Sequence, residues 1–311
     1  MLAYCSNGGT FHVSILWDKT TRASTVLDLL PGTVTNYAYG TNDLGEVVGC
    51  CEDSSGQYIL GDHAYLWDRT HGIRSLEDPA IFPGNPGWRL ANANAINVAG
   101  VIIGSGINPA GEIHAFSAAY DRTLGQVTSI TDLGHTQGTT QSDVQALNAG
   151  GAVIGVSWID GTSNSSNPFY YDSARGRVDL GPLVTSGNLH ASGLNDSSQV
   201  ALQEPLNGKY RAFYWDATRT SLLNLGTLGG TSAKVEVYGN TYHRSEMIKK
   251  DGRIVGNSNL SGDRRQGSSD PTRGPVQTLD LHELRLPAPA SGRNKKPTLR
   301  KAGGKTSCWA V

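Results

Sequence analysis

Five side chains of different type stand at the same place in five repeated segments of the chain. They are Tyr37, Asn92, Asp143, His190 and Glu236, and each directly precedes a short segment with the character of a β-strand. A residue that every repeat needs for folding stays the same from repeat to repeat. One asymmetric ligand, in contrast, needs different side chains around it. We therefore take these five residues, called the inner positions below, as the candidate site.

Carboxylates and an imidazole around one opening can carry out hydrolysis. Asp143 and Glu236, with Asn92 and backbone carbonyls, supply the oxygen ligands that Ca²⁺ prefers. Bound Ca²⁺ polarises a carbonyl group and lowers the pKa of a bound water. His190 would accept a proton, since an imidazole titrates near neutral pH. We therefore expect Asp143, Glu236 and His190 to be catalytic. The alternative that these are solvated residues at strand ends stays open.

Substrate binding is predicted for Tyr37, Asn92 and Trp88. Trp88 lies outside the repeated motifs, where an exposed indole ring would stack on a sugar face, although packing in the core is an equally simple explanation. Histidines that recur before the third strand of a repeat are expected to be structural because they recur; these are His12, His63 and His114. Cys50 and Cys51 are adjacent on a predicted strand, so their side chains point to opposite faces, and free thiols are expected there.

The elements that must position these residues come from an internal repeat. An aromatic residue followed by Asp ends an apolar run at Asp18, Asp68, Asp121, Asp172 and Asp216. Asn recurs before a glycine-containing turn and a short β-branched run at positions 42, 97, 148 and 195. A third element contains Leu after Asp or Asn, and the three elements keep a constant order. A repeat of about 45–50 residues built from four short strands is typical of a propeller blade.

The order of the repeats predicts an all-β fold, a five-bladed β-propeller of four-stranded blades. The first two strands of the blades are predicted at 36–42 and 46–51, 91–97 and 101–106, 142–148 and 152–157, 189–195 and 199–203, and 235–240 and 252–257. The fifth pair lacks a following Trp-Asp element, while the chain begins with third and fourth strands at 10–18 and 25–29. We therefore expect strands from both termini to complete the last blade, since closure removes open sheet edges.

The segments AYGTNDLGEVVG (38–49), HAYLWD (63–68) and LGTLGGTS (225–232) resemble the bacterial extracellular repeat family named after its His-Ala-Phe motif. The resemblance covers residues 10–260 and departs from the family at 240–252 and in the fourth repeat, where Ser198 and Leu202 replace glycines. It implies an exported β-propeller, so a secreted or periplasmic location is expected. The whole chain is also similar to metagenome-derived propeller hydrolases that open acyl-homoserine lactones, which implies quorum quenching and biofilm inhibition.

Charge and composition narrow the classes of partner. Residues 285–311 carry seven basic side chains and no acid, so this tail is +7 and residues 1–284 are −8 within the net charge of −1. An acidic body argues against nucleic-acid binding, and no apolar run has the length of a membrane span. We expect one domain over 1–284, a mobile Pro/Gly/Lys-rich tail over 285–311, a monomer, and no signal peptide in this chain.

Two classes of function agree with this pattern. The first is a calcium-dependent hydrolase that opens a lactone at the central channel, as gluconolactonase-type propellers do. The second is a propeller that binds a carbohydrate or a partner without chemistry. A glycoside hydrolase is a further alternative and would need two carboxyl groups about 5–9 Å apart, for which Asp143 and Glu236 are the available pair. Inner positions that differ between repeats favour one central site with a small-molecule or carbohydrate ligand.

Overall fold

The computed structural model describes residues 2–6, 12–18, 20–55, 57, 59, 61–159, 167–184, 188–227, 229–235, 248–249, 252–260 and 276–279. The predicted all-β class is confirmed for these residues, whose only helical element is a short 3₁₀ turn at Gly181–Leu183. Residues 285–311, the predicted tail, lie outside the described residues.

The strands are grouped into sheets that follow one another along the chain. Sheet 1 contains β1 (Leu2–Ser6), β2 (His12–Trp17) and β3 (Ser24–Val26). Sheet 2 contains β4 (Thr33–Thr41), β5 (Val47–Asp53), β6 (Asp62–Asp68) and β7 (Gly72–Ser75). Sheet 3 contains β8 (Arg89–Ile96), β9 (Val101–Ile107), β10 (Ile113–Asp121) and β11 (Gln126–Asp132).

The second half of the chain continues the same order. Sheet 4 contains β12 (Gln141–Leu147), β13 (Val153–Trp158), β14 (Asn167–Asp172) and β15 (Gly176–Asp179). Sheet 5 contains β16 (His190–Leu194), β17 (Gln199–Leu206), β18 (Lys209–Asp216) and β19 (Leu223–Asn224). Sheet 6 contains β20 (Gly229–Lys234), β21 (Ile254–Leu260) and β22 (Val276–Leu279). All neighbouring strands are antiparallel, so the predicted four-stranded repeats are confirmed for sheets 2 to 5.

The terminal strands pair differently from the prediction. We expected the strands near residues 10–29 to join those near 235–257 in one blade. Within the described part of the chain, β2 and β3 pair with β1, and β21 pairs with β20 and β22. The two termini therefore form separate sheets, because each end of the chain supplies an additional strand that the repeat pattern did not reveal.

The Asp of each aromatic-Asp pair closes the turn between the third and fourth strands of a sheet. The Oδ1 atom of Asp68 accepts hydrogen bonds from the backbone N–H groups of Thr70 and His71, at 2.8 and 2.9 Å. Asp121 does the same in sheet 3, with Thr123 and Leu124 as donors. A side-chain acceptor of this kind is what an Asx turn requires. The recurring Asp is thus a structural residue.

The recurring Asn joins each sheet to the next one. In sheet 3, Asn97 Oδ1 accepts a hydrogen bond from Val101 N–H at 2.9 Å, which closes the turn between the first two strands. Its Nδ2 donates to the backbone carbonyl of Asn148 in sheet 4 at 3.1 Å. The same inter-sheet bond runs from Asn42 to Asn97, from Asn148 to Asn195 and from Asn195 to Lys249. We call this series of contacts the asparagine ladder.

The hydrophobic core is divided among the interfaces between successive sheets. One cluster joins sheets 2 and 3 through Leu66, Leu90 and Phe116, and another joins sheets 4 and 5 through Tyr170 and Leu202. Three smaller clusters lie at the remaining interfaces between consecutive sheets. Each sheet therefore depends on its neighbours for burial of its apolar faces, as expected of a repeat architecture.

The first strands of sheets 2 to 5 lie beside one another in chain order. Strands β4 and β8 are in contact, as are β8 and β12, and β12 and β16. The approach of β4 to β8 is close, since a Cβ atom at Gly40 would lie 2.8 Å from the Cα atom of Ala95. Residues at equivalent places on these first strands are consequently brought together, although they are far apart in sequence.

Substitution of Asn97 by Ala tests the asparagine ladder. The change removes the turn acceptor of Val101 and the donor to Asn148, and leaves buried backbone groups unpaired, so we expect a loss of about 2 kcal/mol in the free energy of unfolding. Urea denaturation would measure the loss. Val98→Ala, at an exposed position of the same turn, is the matched control and should change stability little. Equal losses in the two variants would contradict the importance of the ladder.

Candidate functional site

Each of the four inner positions within the described residues stands two residues before an irregularity in its first strand. The register shifts between Ala38 and Gly40, between Ala93 and Ala95, between Val144 and Ala146, and between Ala191 and Gly193. The residues at these bulges are Tyr39, Asn94, Gln145 and Ser192. A bulge redirects side chains locally and is frequent beside functional sites. The repeated bulge thus makes the inner end of each first strand a distinct local environment.

Asp143 and Asn92 are brought together through Ser105. Asn92 on β8 is opposite Ser105 on β9 in the strand register, and both are buried. The Ser105 hydroxyl is near enough to the Asp143 carboxylate, which belongs to the next sheet, to lower its pKa. Asp143 also accepts a hydrogen bond from the N–H of Val144 at 2.7 Å. A carboxyl, a hydroxyl and an amide side chain therefore form one cluster between sheets 3 and 4.

The electrostatic state of Asp143 is unusual for an aspartate. Burial raises the pKa of its carboxyl group above the ordinary value of 3.8, and the hydrogen bonds from Val144 and Ser105, which favour the ionised form, offset only part of that effect. No cationic side chain among the described residues forms an ion pair with it. The carboxyl group is therefore poised to hold or release a proton at a higher pH than a surface aspartate.

A glycine on the second strand allows the backbone carbonyl of the inner residue to approach that strand closely. A Cβ atom at Gly104 would lie 1.9 Å from the carbonyl oxygen of Asn92 and 2.7 Å from the Phe116 ring. Gly155 has the same relation to the carbonyl of Asp143, with Phe169 covering it. These glycines are required by packing, and they fix the backbone of the two inner residues.

Amide oxygens without partners lie next to these residues. Asn94 Oδ1 and Gln145 Oε1, both at bulge positions, are buried and lack a hydrogen-bond partner within the described part of the chain. Such atoms are expected to find a polar ligand. Amide oxygens are among the ligands that Ca²⁺ takes, and these two stand two residues after Asn92 and Asp143 in the sequence.

His190 and Tyr37 occupy the equivalent places in the flanking sheets. His190 begins β16 and is opposite Gln203 on β17, and Gln203 Oε1 is another buried oxygen without a partner among the described residues. Tyr37 on β4 is half-buried, and its ring is stacked on that of Tyr39 with 6.4 Å between centroids and 6° between planes. Burial and the charges of Glu52 and Asp62 raise the pKa of the Tyr37 hydroxyl, so it remains protonated.

One of the residues predicted from the sequence needs correction. Trp88 was expected to be an exposed substrate platform, but its side chain is 6% exposed and packs edge-on against Phe116 at 5.9 Å between ring centroids. It belongs to the core between sheets 2 and 3. The approach of the segment before β8 to that core buries the indole ring, so Trp88 is not available to a substrate.

Glu236 lies outside the described residues. Within the described part of the chain, Asn195 donates to the carbonyl of Lys249 at 2.9 Å, and Lys249 and Gly252 form the turn seen after each ladder residue. Lys249 is therefore the counterpart of the ladder asparagines, and the role of Glu236 stays a prediction.

Sequence reasoning missed Ser105, Asn94, Gln145 and Gln203. Asn94 and Gln145 follow the inner positions by two residues, and because a regular strand returns to the same face at that interval, comparison of that second row could have found them. Ser105 and Gln203 had no such signal, because they lie on second strands and are placed beside Asn92 and His190 only through strand pairing. Conversely, Cys50 and Cys51 are buried free thiols, as predicted.

Comparisons with known proteins do not assign the chain to a family. No protein-family model matches the sequence, and no curated protein matches it. A solved structure that resembles it is TolB from Acinetobacter baumannii, with a TM-score of 0.39 and 12% sequence identity over 80% of this chain. The matched region spans 58% of the length of that TolB chain. Among the described residues, no helix is both long enough and apolar enough to cross a membrane.

The raised pKa of Asp143 predicts an unusual pH dependence of stability. Because the fold favours the neutral carboxyl, its stabilising effect is complete below pH 3.8 and is lost as pH rises through the pKa of the folded state. Asp143→Asn should therefore unfold at a higher temperature than the wild type at neutral pH, and the difference should vanish in acid. Calorimetric scans from pH 3 to pH 8 in a metal chelator would measure it.

Asp18→Asn is a control variant for which we expect the opposite change in stability. The backbone N–H groups of Thr21 and Thr20 hold the pKa of Asp18 below its ordinary value, so this variant should be less stable than the wild type at neutral pH. A melting temperature of Asp143→Asn that stays below that of the wild type across the pH range would contradict the assigned environment.

Truncation of Trp88 tests its place in the core. Trp88→Ala should lower the free energy of unfolding by about 3–5 kcal/mol, because it removes a large buried side chain. Trp17→Ala, at a tryptophan that is 42% exposed, should cost clearly less. Denaturant titrations of both variants would decide between core packing and a surface role, and a loss for Trp88→Ala no greater than that for Trp17→Ala would favour the surface role.

Proposed function

We propose that this protein is a hydrolase of β-propeller type that opens a lactone, such as an acyl-homoserine lactone, at the inner ends of its first strands. One observation carries the proposal. Asp143 is a carboxyl group with a raised pKa. It is held at an inner position by Ser105 and lies in the cluster that contains Asn92. A buried carboxyl group whose pKa is raised is a candidate for proton transfer.

The propeller part of the proposal is supported by the order of the sheets. Consecutive antiparallel sheets pack face to face, and their first strands lie side by side from β4 to β16. That arrangement is expected when blades are placed around an axis with the first strand innermost. We propose that sheets 1 and 6, from the two termini, meet to complete the ring and that the inner positions face the central channel.

The reaction requires proton movement in two directions. Water adds to the lactone carbonyl carbon and loses a proton, the bond between that carbon and the ring oxygen breaks, and the ring oxygen gains a proton to give the hydroxy acid. Ionised Asp143 accepts the proton from water, and its protonated form supplies one to the ring oxygen. The Asn92 amide donates to the substrate, and His190, at the equivalent place in sheet 5, is a second group able to carry a proton.

The oxygen donors around Asp143 would hold Ca²⁺. Asp143 supplies the negative charge, and Asn92, Asn94 and Gln145 supply neutral amide oxygens, of which those of Asn94 and Gln145 are buried and unpaired. Ca²⁺ bound to them would stabilise negative charge on the substrate carbonyl oxygen. A set with one carboxylate predicts weak binding, because affinity rises with the number of charged ligands.

Activity of Asp143→Asn tests the proposal. We expect kcat/KM for hydrolysis of an acyl-homoserine lactone, followed by acid release, to fall by about 100-fold or more, the usual contribution of general acid–base catalysis. Chelation of calcium should also lower the rate. Asp121→Asn makes the same chemical change in a turn between outer strands, where Asn still offers the Oδ1 acceptor, and should retain wild-type activity.

Absence of turnover by the wild-type chain, or an unchanged kcat/KM in Asp143→Asn, would overturn the proposal that the protein is a hydrolase.

One observation favours carbohydrate binding without chemistry as the second function. The parallel rings of Tyr37 and Tyr39 form an aromatic pair on the first strand of sheet 2, and aromatic faces bind sugars well. Saturable binding of a sugar that is lost in Tyr37→Ala, with no acid release from lactones, would establish that function instead.

A further inference from the structure

A second group of chemically reactive side chains lies at one edge of sheet 3, apart from the inner positions. Glu112 ends the turn before β10, His114 is the second residue of β10, and His135 follows β11. One potential ligand atom from each side chain lies within 4.8 Å of the others. Chain segments that are 21 residues apart in sequence are thus brought to one point by the pairing of β10 with β11.

His114 is oriented as a metal ligand. Its side chain is almost fully buried, with 6% exposed. Its Nδ1 lies 2.9 Å from the Asp132 carboxylate, and because a carboxylate only accepts hydrogen bonds, Nδ1 carries the proton. Its Nε2 is buried without a hydrogen-bond partner among the described residues and lies 3.7 Å from Glu112 Oε2. A carboxylate behind one ring nitrogen is the usual support of a histidine that binds metal through the other nitrogen.

His135 has the same arrangement with a backbone acceptor. Its Nδ1 lies 3.1 Å from the carbonyl oxygen of Thr136, which can only accept. Its Nε2 is therefore the nitrogen available to a metal. The rings of His114 and His135 are 5.2 Å apart between centroids and tilted by 57°, so two imidazole nitrogens can face a common point.

Glu112 is held in place by its own turn. Asn108 Oδ1 accepts hydrogen bonds from the N–H groups of Ala110 and Glu112 at 3.0 and 2.9 Å. Asn108 Nδ2 donates to Glu112 Oε2 at 3.1 Å. The Glu112 side chain is half exposed. The carboxylate is consequently positioned before any ion arrives, and the cluster opens to solvent on that side.

We propose that Glu112, His114 and His135 bind a zinc-class divalent metal ion. Two nitrogens and one carboxylate oxygen suit zinc, whereas Ca²⁺ requires oxygen ligands. Ligand atoms on a tetrahedral zinc ion are about 3.3 Å apart, so movement of each side chain by about an ångström would close the site. Three protein ligands leave a fourth position for water on the Glu112 side, an arrangement typical of catalytic rather than structural zinc.

Sheet 2 provides an internal comparison for the histidine site of sheet 3. His63 occupies in sheet 2 the place of His114 in sheet 3, but Gly61 stands where Glu112 would be, and the ring of His63 contacts Glu77 at 3.3 Å. The repeated histidine was expected to be structural, and the contact of His63 with Glu77 agrees with that role. His114 adds two further ligands that no other described sheet provides.

Zinc binding by the full chain tests the inference. Purified protein would be loaded with ZnCl₂, dialysed and analysed for bound metal, and its affinity would be measured by competition with a chromogenic zinc indicator. We expect one zinc ion per chain. In His135→Gln and Glu112→Gln the affinity should fall by more than the roughly 10–100-fold that loss of an outer-shell partner costs. Co²⁺ in place of zinc should give a visible absorption band of a tetrahedral site, lost in the same variants.

The control variants separate this site from the inner positions. His63→Gln should retain zinc binding, and so should Asp143→Asn, whose lactone hydrolysis is expected to fail for an independent reason. Far-UV circular dichroism would verify that each variant folds. No zinc retained by the wild type, or equal zinc affinity in the wild type, His135→Gln and Glu112→Gln, would overturn the proposal.

Discussion

An amide side chain at the end of each first strand is the interaction on which the arrangement of the sheets depends. In Asn97 one side-chain atom closes a turn within its own sheet and the other binds the backbone of the next sheet. Because the bond passes from Asn42 to Lys249 in four steps, each sheet is registered against its neighbour at the same point. The side-by-side placement of the first strands follows from this registration, and with it the convergence of residues that are about 50 residues apart in sequence.

The ladder also explains where sequence variation is permitted. Asn is retained at each ladder position of sheets 2 to 5 because both of its polar atoms are used there. The inner positions stand five residues before the ladder residues and have no such double requirement. Their side chains therefore differ, as in Tyr37, Asn92, Asp143 and His190. Among the inner residues, Asp143 lowers the stability of the folded state at neutral pH, since burial of its carboxyl group opposes ionisation. Retention of a group that weakens the folded state at neutral pH is typical of a functional position.

Two kinds of ligand chemistry are kept apart in the molecule. The unpaired amide oxygens of Asn94 and Gln145 lie on β8 and β12, whereas the imidazoles of His114 and His135 lie at the edge of sheet 3. The two places are connected through Ser142, which accepts a hydrogen bond from Ala115 and donates one to Gly134. Ala115 is next to His114 in the sequence, and Gly134 is next to His135. Ser142 itself is next to Asp143. Ser142 therefore lies between the two places in the fold.

The sequence alone determined the repeated strands and turns of sheets 2 to 5 and the equivalence of Tyr37, Asn92, Asp143 and His190. These features depend on local causes: β-branched runs, Asn and Asp as turn acceptors, and glycines at positive φ such as Gly100. Only the tertiary structure decided which equivalent residues touch. It brought Asp143 close to Ser105, buried Trp88 against Phe116, made Lys249 the acceptor for Asn195, and placed Glu112, His114 and His135 close together. Those contacts depend on how one sheet is placed against the next and on strand pairing across long separations, and neither is encoded in the residues near any one position.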